Sequence, residues 1–343
     1  MKFKTLINLS ILGLLSLPFT VNANNSTNLK TNDEVVQYLQ NKFAEKGIST
    51  SIKLDGSIRP VKKSSTHKNT SLVKEKGLVR RNFINEKIIY KYSIYLPTLY
   101  KKSPKILIVI PSNKQDMVDL QEMTKFNDIA DKKGFIVVYP QLLRAFNKLK
   151  EVKNINNTDY LESIINEVKN QYISSSIYLT SWSNASFNLL DLVCEKKINI
   201  KGIAIVGSSF LQRHTNDKCL YNFSMLFING TSDLIMPYDG KINYLKKENL
   251  LGMEKTVDFL IKQNKLEEKV IKSEFYKGSI DYTRVKKEIY TKNKKPAVIN
   301  YKVQFSGHIW PGTSKSYSVK EYGNKTGQIN ATEIITNFIY EKY

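Results

Sequence analysis

Five short apolar runs constrain this chain more than any other feature. Lys105 to Ile110, Phe135 to Tyr139, Ile177 to Thr180, Gly202 to Val206 and Ser224 to Ile228 carry almost nothing but apolar side chains. Runs this short, stopped by proline, glycine or small polar residues, read as strands. A strand that is apolar at every position must bury both faces, as strands do inside a parallel sheet covered by helices. The intervening segments fit helices. Gln115 to Lys132 places Leu120, Met123 and Ala130 on one face with Gly134 behind it; Asp159 to Asn170 precedes the third run, and Leu189, Leu190 and Val193 follow it. Strand and helix alternating in this way predict an α/β chain: a right-handed, doubly wound, mostly parallel sheet with helices on both faces.

The flanks extend this plan. Within Leu78 to Pro97, Ile88 to Tyr95 alternates as expected of an antiparallel edge hairpin. Beyond the last run, Met253 to Asn264 fits a helix with Val257, Leu260 and Ile261 inward, and a polar, lysine-rich stretch leads to a strand over Val298 to Phe305. Asn330-Ala331-Thr332-Glu333 then resembles a capping box for a closing helix with Ile334, Ile335, Phe338 and Ile339. At the other end, Lys2 and Lys4 precede an apolar run from Leu6 to Phe19 and a small-residue site at Val21-Asn22-Ala23, so residues 1–23 are expected to be a cleaved signal peptide. That run falls short of the roughly 20 residues of a spanning helix. With no longer apolar run downstream, the chain is expected to be secreted or periplasmic, with no integral membrane segment after cleavage. Residues 24–77 read as a small appendage and a Lys/Ser-rich linker: a polar, disordered start, a helix over Asp33 to Lys46, a strand or hairpin arm around Asp55-Gly56, then the linker from Pro60. Residues 78–343 form the main domain.

The 343 residues carry a formal charge of +22, with two cysteines and three histidines. The lysines are spread along the chain without a recognition-helix or RNA-binding pattern, so no nucleic-acid partner is expected, only a weak attraction to anionic surfaces. So few cysteines and histidines exclude a dense zinc framework, and no metal or other cofactor is expected. In an oxidising compartment Cys194 and Cys219 could form one disulfide or remain two buried thiols; both stay open.

Ligands of doubly wound sheets bind beyond the carboxyl ends of the strands. The polar residues there are Ser112 and Asn113, Ser183, Ser208 and Ser209, Asp233 and His308. Ser183 lies where a strand stops and a helix begins, the corner that exposes a nucleophilic serine and aims the following N–H groups at a developing oxyanion. Most serines at strand ends merely cap a helix, so the corner needs partners. Of the histidines, His67 lies in the linker and His214 in a loop, both expected at the surface. His308 follows a strand, between Gly307 and Trp310-Pro311-Gly312. Asp233 sits in the turn Asn229-Gly230-Thr231-Ser232-Asp233, with Asp239 further on as the competing acid. Nucleophile, acid and base thus run in the order Ser183, Asp233, His308.

Several segments carry a family resemblance: Tyr95-Leu96-Pro97, Ala130 to Pro140, Ile177 to Asn184, Asn229 to Asp233 with Pro237-Tyr238, and Gly307-His308-Ile309-Trp310-Pro311-Gly312. Through these the chain, from about residue 78 onward, resembles the exported esterases that include short polyhydroxybutyrate depolymerases and feruloyl and acetylxylan esterases. The resemblance implies an α/β-hydrolase fold and a serine esterase for polyhydroxyalkanoate-type, short acyl or feruloyl esters. It puts the nucleophile on Ser183, the acid on Asp233 and the base on His308. The oxyanion hole falls on the backbone N–H groups of Asn184 and Asn113, and substrate contacts on Trp182 and Trp310. The chain departs from the family at two places: Ser181 and Ala185 replace the glycines of the serine corner, and Pro111-Ser112 replaces the His-Gly of the oxyanion loop. Those departures motivate a second reading, a catalytically degenerate hydrolase scaffold that binds without turning over.

Overall fold

The computed structural model describes residues 50–52, 58–60, 75–85, 88–112, 115–142, 156–174, 176–196, 198–245, 248–266, 268–274, 281–293 and 295–341. The expected signal peptide, the polar start, the helix over Asp33 to Lys46 and the Asp55-Gly56 turn lie outside them. The chain divides into two units, Met1–Thr70 and Ser71–Tyr343. In the first, β1 (Thr50–Ile52) pairs antiparallel with β2 (Ile58–Pro60).

In the second unit the apolar runs become the centre of a ten-stranded sheet. β5 (Ile106–Ile110), β6 (Ile136–Pro140), β7 (Ile177–Trp182), β8 (Gly202–Val206) and β9 (Ser224–Gly230) are parallel to their neighbours in this group. The period-two alternation of a strand then sends successive side chains into two cores. Ile106, Ile108 and Ile110 enter one core, while Leu107 and Val109 enter the other. On the first face pack α3 (Asn157–Tyr172), α4 (Ala185–Glu195) and α5 (Met253–Asn264), through residues such as Leu161, Ile165, Leu189 and Leu260. On the second pack α1 (Met117–Thr124), α2 (Phe126–Lys133) and α7 (Ala331–Ile339), through Leu120, Phe126 and Ile335; the single-turn α6 (Val319–Tyr322) lies between α5 and α7 in the chain.

An antiparallel hairpin, β3 (Gly77–Asn85) and β4 (Ile88–Leu96), closes one edge against β6. At the other edge β14 (Lys295–Gln304) runs parallel to β9, followed outward by β13 (Arg284–Lys292) and β12 (Glu268–Glu274), both antiparallel. The order β3-β4-β6-β5-β7-β8-β9-β14, with β4 antiparallel, is that of the α/β-hydrolase fold.

Two elements differ from the sequence expectation. Gln115 to Lys132 is not one helix: Lys125, at φ 54°, ends α1 and begins α2, and the bend lets Met123 and Phe126 both enter the core. The lysine-rich stretch before Val298, for which no element is expected, holds two strands. β13 alternates apolar and charged residues on both faces, with Lys287 between Val285 and Ile289 on the core side, so its apolar period is broken although most of the strand is buried. A further hairpin, β10 (Lys241–Leu245) and β11 (Glu248–Leu250), follows β9.

Candidate active site

Ser183 leaves β7 and turns the chain into α4 with φ at +61°, a left-handed backbone that costs a non-glycine residue on the order of 1–3 kcal/mol unless its surroundings hold it. Here they do. The Ser183 N–H donates to the Val206 carbonyl at the end of β8 (2.9 Å), and the Ser183 carbonyl accepts from the Ser186 N–H (3.1 Å). Ser181, Ala185 and Ser186 are buried in the corner, and the Ser181 hydroxyl donates to that of Ser186 (3.0 Å). The two residues that replace the glycines therefore fit, and one of them is tied across the bend.

His308 follows β14 on a tight loop backed by the end of α6 and the residues after it. Its N–H donates to the Tyr322 carbonyl (2.6 Å), and the Gly307 N–H to that of Asn324 (2.9 Å). A Cβ on Gly307 would stand 1.9 Å from the Tyr322 oxygen, and one on Gly230, at the end of β9, 2.2 Å from the Ser306 oxygen. Only glycine permits these approaches. Asp233 hangs from the same loop: the Thr231 N–H donates to Val303 and the Ser232 N–H to Ser306. One carboxylate oxygen, Oδ1, accepts from the Ile235 (2.9 Å) and Met236 (2.7 Å) N–H groups.

That leaves Oδ2 to accept from His308 Nδ1–H at 2.6 Å, while the Ser183 hydroxyl donates to His308 Nε2 at 2.7 Å. The proton sits on Nδ1 because a carboxylate can only accept. His308 and the Asp233 carboxylate are almost wholly buried, at 2% and 1% exposure, whereas Ser183 is half-buried and reachable. The imidazole lies nearly parallel to two rings, Trp182 (centroids 5.0 Å, 30° apart) and Tyr322 (6.4 Å, 25°), with Tyr317 against both. Rings on its two sides hold the plane of the imidazole. Tyr244 of β10 approaches Asp233: burial first, and the Asp233 charge second, push its phenol above the ordinary value. Chemically, the arrangement can draw a proton from Ser183 onto His308 while Asp233 holds the ring.

Of the remaining sequence candidates, Asn184 is exposed at the N-cap of α4, where helix polarity favours negative charge. Asn113 lies outside the described residues. Asp239 is exposed and Ser208 and Ser209 are buried. The expectation for Trp310 needs correction. It is 1% exposed, edge-on to Phe126, and its Nε1–H donates to Thr332 Oγ1 (3.1 Å). It therefore ties α7 to the core and presents nothing to a substrate; apolar bulk outweighed proximity to His308.

His214 is also not at the surface. Its Nδ1 accepts from the Leu211 N–H (3.1 Å) and its Nε2–H donates to Asp191 of α4 (3.0 Å). Arg213 holds Asp191 with two hydrogen bonds and pairs with Glu248. Burial pushes the His214 imidazole below its ordinary value despite the opposing pull of Asp191. Cys194, at the end of α4, is joined to Cys219 by a disulfide. Tyr317, Tyr322 and the Ser181–Ser186 pair carry no signal in the sequence: Tyr317 lies in an irregular segment, and Tyr322 ends the single turn of α6, too short for a periodic pattern. Among the described residues no cluster of His, Cys, Asp and Glu could hold a metal ion, and no helix is long and apolar enough to cross a membrane.

No protein-family model and no curated protein sequence matches the chain. Solved structures similar to it include an acetyl xylan esterase from Aspergillus awamori, 12% identical, with a TM-score of 0.44, covering 64% of this chain and 89% of the esterase. Est1E from Butyrivibrio proteoclasticus is 10% identical, TM-score 0.39, covering 54% and 85%. An alpha-beta serine hydrolase homologue from Coxiella burnetii is 13% identical, TM-score 0.36, covering 54% and 82%.

Proposed function

We propose that the chain is an exported serine esterase that hydrolyses carboxylic esters, of polyhydroxyalkanoate type or of short acyl or feruloyl acids, through an acyl-enzyme on Ser183. The observation that carries this reading is the unbroken hydrogen-bond chain from Ser183 through His308 to Asp233, at 2.7 and 2.6 Å. Ser183 Oγ attacks the ester carbonyl as His308 Nε2 takes its proton. The tetrahedral intermediate expels the alcohol, which leaves with that proton, and water then deacylates Ser183 by the same relay. Asp233 stays ionised, keeps the proton on Nδ1 and offsets the imidazolium charge. The oxyanion is assigned to the N–H of Asn184 and that of Asn113, since Pro111 has none to give. Trp182, beside the nucleophile, is assigned to the substrate-facing wall. The cycle uses only these side chains and water.

Export after removal of residues 1–23 is supported by the leader pattern and by the Cys194–Cys219 disulfide, a bond that persists in oxidising compartments. The scaffold reading has less to support it, because a surface that only binds has no use for a serine held at φ +61°. Hydrolysis of p-nitrophenyl acetate and butyrate by the purified protein and by Ser183→Ala tests the proposal. Turnover that Ser183→Ala abolishes is expected; equal rates for both proteins would sink it.

A further inference from the structure

Four aromatic rings form a closed circuit beside Ser183. His308 lies 5.0 Å from Trp182, Trp182 6.2 Å from Tyr317, Tyr317 5.0 Å from Tyr322, and Tyr322 6.4 Å from His308. His308 is 2% exposed, whereas Trp182, Tyr317 and Tyr322 are half-buried and show part of their rings to solvent. Tyr317 belongs to no helix or strand, and its segment is held by other means. The Lys315 ammonium pairs with Asp119 and with Glu122 (3.3 Å) of α1. The Lys315 N–H donates to Thr313 Oγ1 (3.2 Å), and the Thr313 carbonyl accepts from Lys325. The charges closest in sequence to Tyr317 on its N-terminal side are thus paired with α1, and on its other side Val319 is 64% exposed, followed by exposed Lys320 and Glu321 of opposite sign.

The reaction decides which part of an ester meets these rings. To protonate the leaving oxygen, His308 Nε2 must come within about 2.6–3.2 Å of it. Whatever is bonded to that oxygen is then carried beside the imidazole, where Trp182 and Tyr317 stand. The acyl group, by contrast, is held by Ser183 Oγ and stays there after the alcohol has gone. Aromatic faces favour a flat apolar ring over a short alkyl chain. Resting on the esterase reading above, we propose that Tyr317 is a specificity-determining residue: with Trp182 it forms a wall for the leaving alcohol and selects alcohols that carry an apolar ring.

Benzyl acetate and ethyl acetate test this, because they release alcohols of similar acidity and leave the same acetyl-enzyme. In the parent, kcat/KM for benzyl acetate is expected to exceed that for ethyl acetate about tenfold. Tyr317→Ala should remove most of that preference, and Tyr317→Phe, which keeps the ring, should retain it. Burst kinetics with p-nitrophenyl acetate isolate deacylation, a step with no alcohol present. Tyr317→Ala should slow acylation by benzyl acetate far more than deacylation, whereas a merely structural role in holding His308 would slow both alike. The proposal is overturned by equal rates for the two acetates in the parent, by a preference that survives Tyr317→Ala, or by parallel losses in acylation and deacylation. Faster turnover of an acetylated methyl xyloside than of benzyl acetate would also overturn it, since the wall would then favour a sugar. Fluorophosphonate labelling separates this claim from the esterase reading, as that reagent expels fluoride. An unlabelled Ser183 removes both; a labelled Ser183 without the benzyl preference removes this one alone.

Discussion

Gly307→Ala should slow ester hydrolysis strongly while the protein still folds. The added Cβ would meet the Tyr322 carbonyl oxygen at 1.9 Å, where contacts under 3.0 Å do not occur, so loop and carbonyl must part by about 1.1 Å. The same carbonyl accepts the His308 N–H, so the shift is delivered to the base itself. A misplacement of about 1 Å in a reacting constellation can cost on the order of 100-fold. kcat with p-nitrophenyl butyrate should therefore fall about 100-fold, with KM changed by less than about threefold, because the ester-binding surface is untouched. Overpacking should also cost about 1–3 kcal/mol, read as a lower thermal midpoint. If Gly307→Ala kept kcat within about threefold of the parent, the claim that this backbone contact places His308 would be wrong.

Three other outcomes follow from the same geometry. Asp233→Asn should lower kcat about 10⁴-fold, because the amide no longer fixes the proton on Nδ1 of His308; a loss of less than tenfold in the ester assay would remove Asp233 from its role. His214 is held neutral, its folded pKa below the unfolded value near 6.5. Below about pH 6.5 the unfolded chain takes up a proton that the folded chain refuses, so stability falls as pH drops toward the folded pKa. The urea midpoint should decrease between pH 7.5 and 5.5, and His214→Gln should shrink that decrease; an identical decrease in both proteins contradicts the assignment. Removing the disulfide as Cys194→Ala with Cys219→Ala reopens a loop spanning 25 positions and should cost about 3.5 kcal/mol on the loop-entropy estimate. An unchanged urea midpoint would show that the bond adds nothing.

How far the sequence could be read depended on whether a residue's environment was written in its neighbours. β5 and β6 were legible because every position is apolar and both faces are buried. β13 was not, because Lys287 occupies a core-side position and erases the alternation. The bend at Lys125 was hidden for another reason: nothing in a lysine announces a left-handed backbone, and the turn is set by how Met123 and Phe126 pack. Ser183, Asp233 and His308 could be picked as candidates since each follows a buried strand, but no spacing reveals that Tyr322 backs His308 or that Ser181 bonds to Ser186. Trp310 and His214 misled in opposite directions. One is a large ring drawn into the core beside the site, and the other is a polar ring buried because Asp191 and a backbone N–H receive it.

The central claim, that Ser183 is a nucleophile activated by His308, is tested most directly by locating a covalent adduct. The purified protein is treated with a fluorophosphonate, digested and sequenced by mass spectrometry, beside His308→Ala. The account predicts one phosphonylated residue, Ser183, and labelling at least 100-fold slower without His308. An unlabelled Ser183, or labelling at the same rate in His308→Ala, would contradict it.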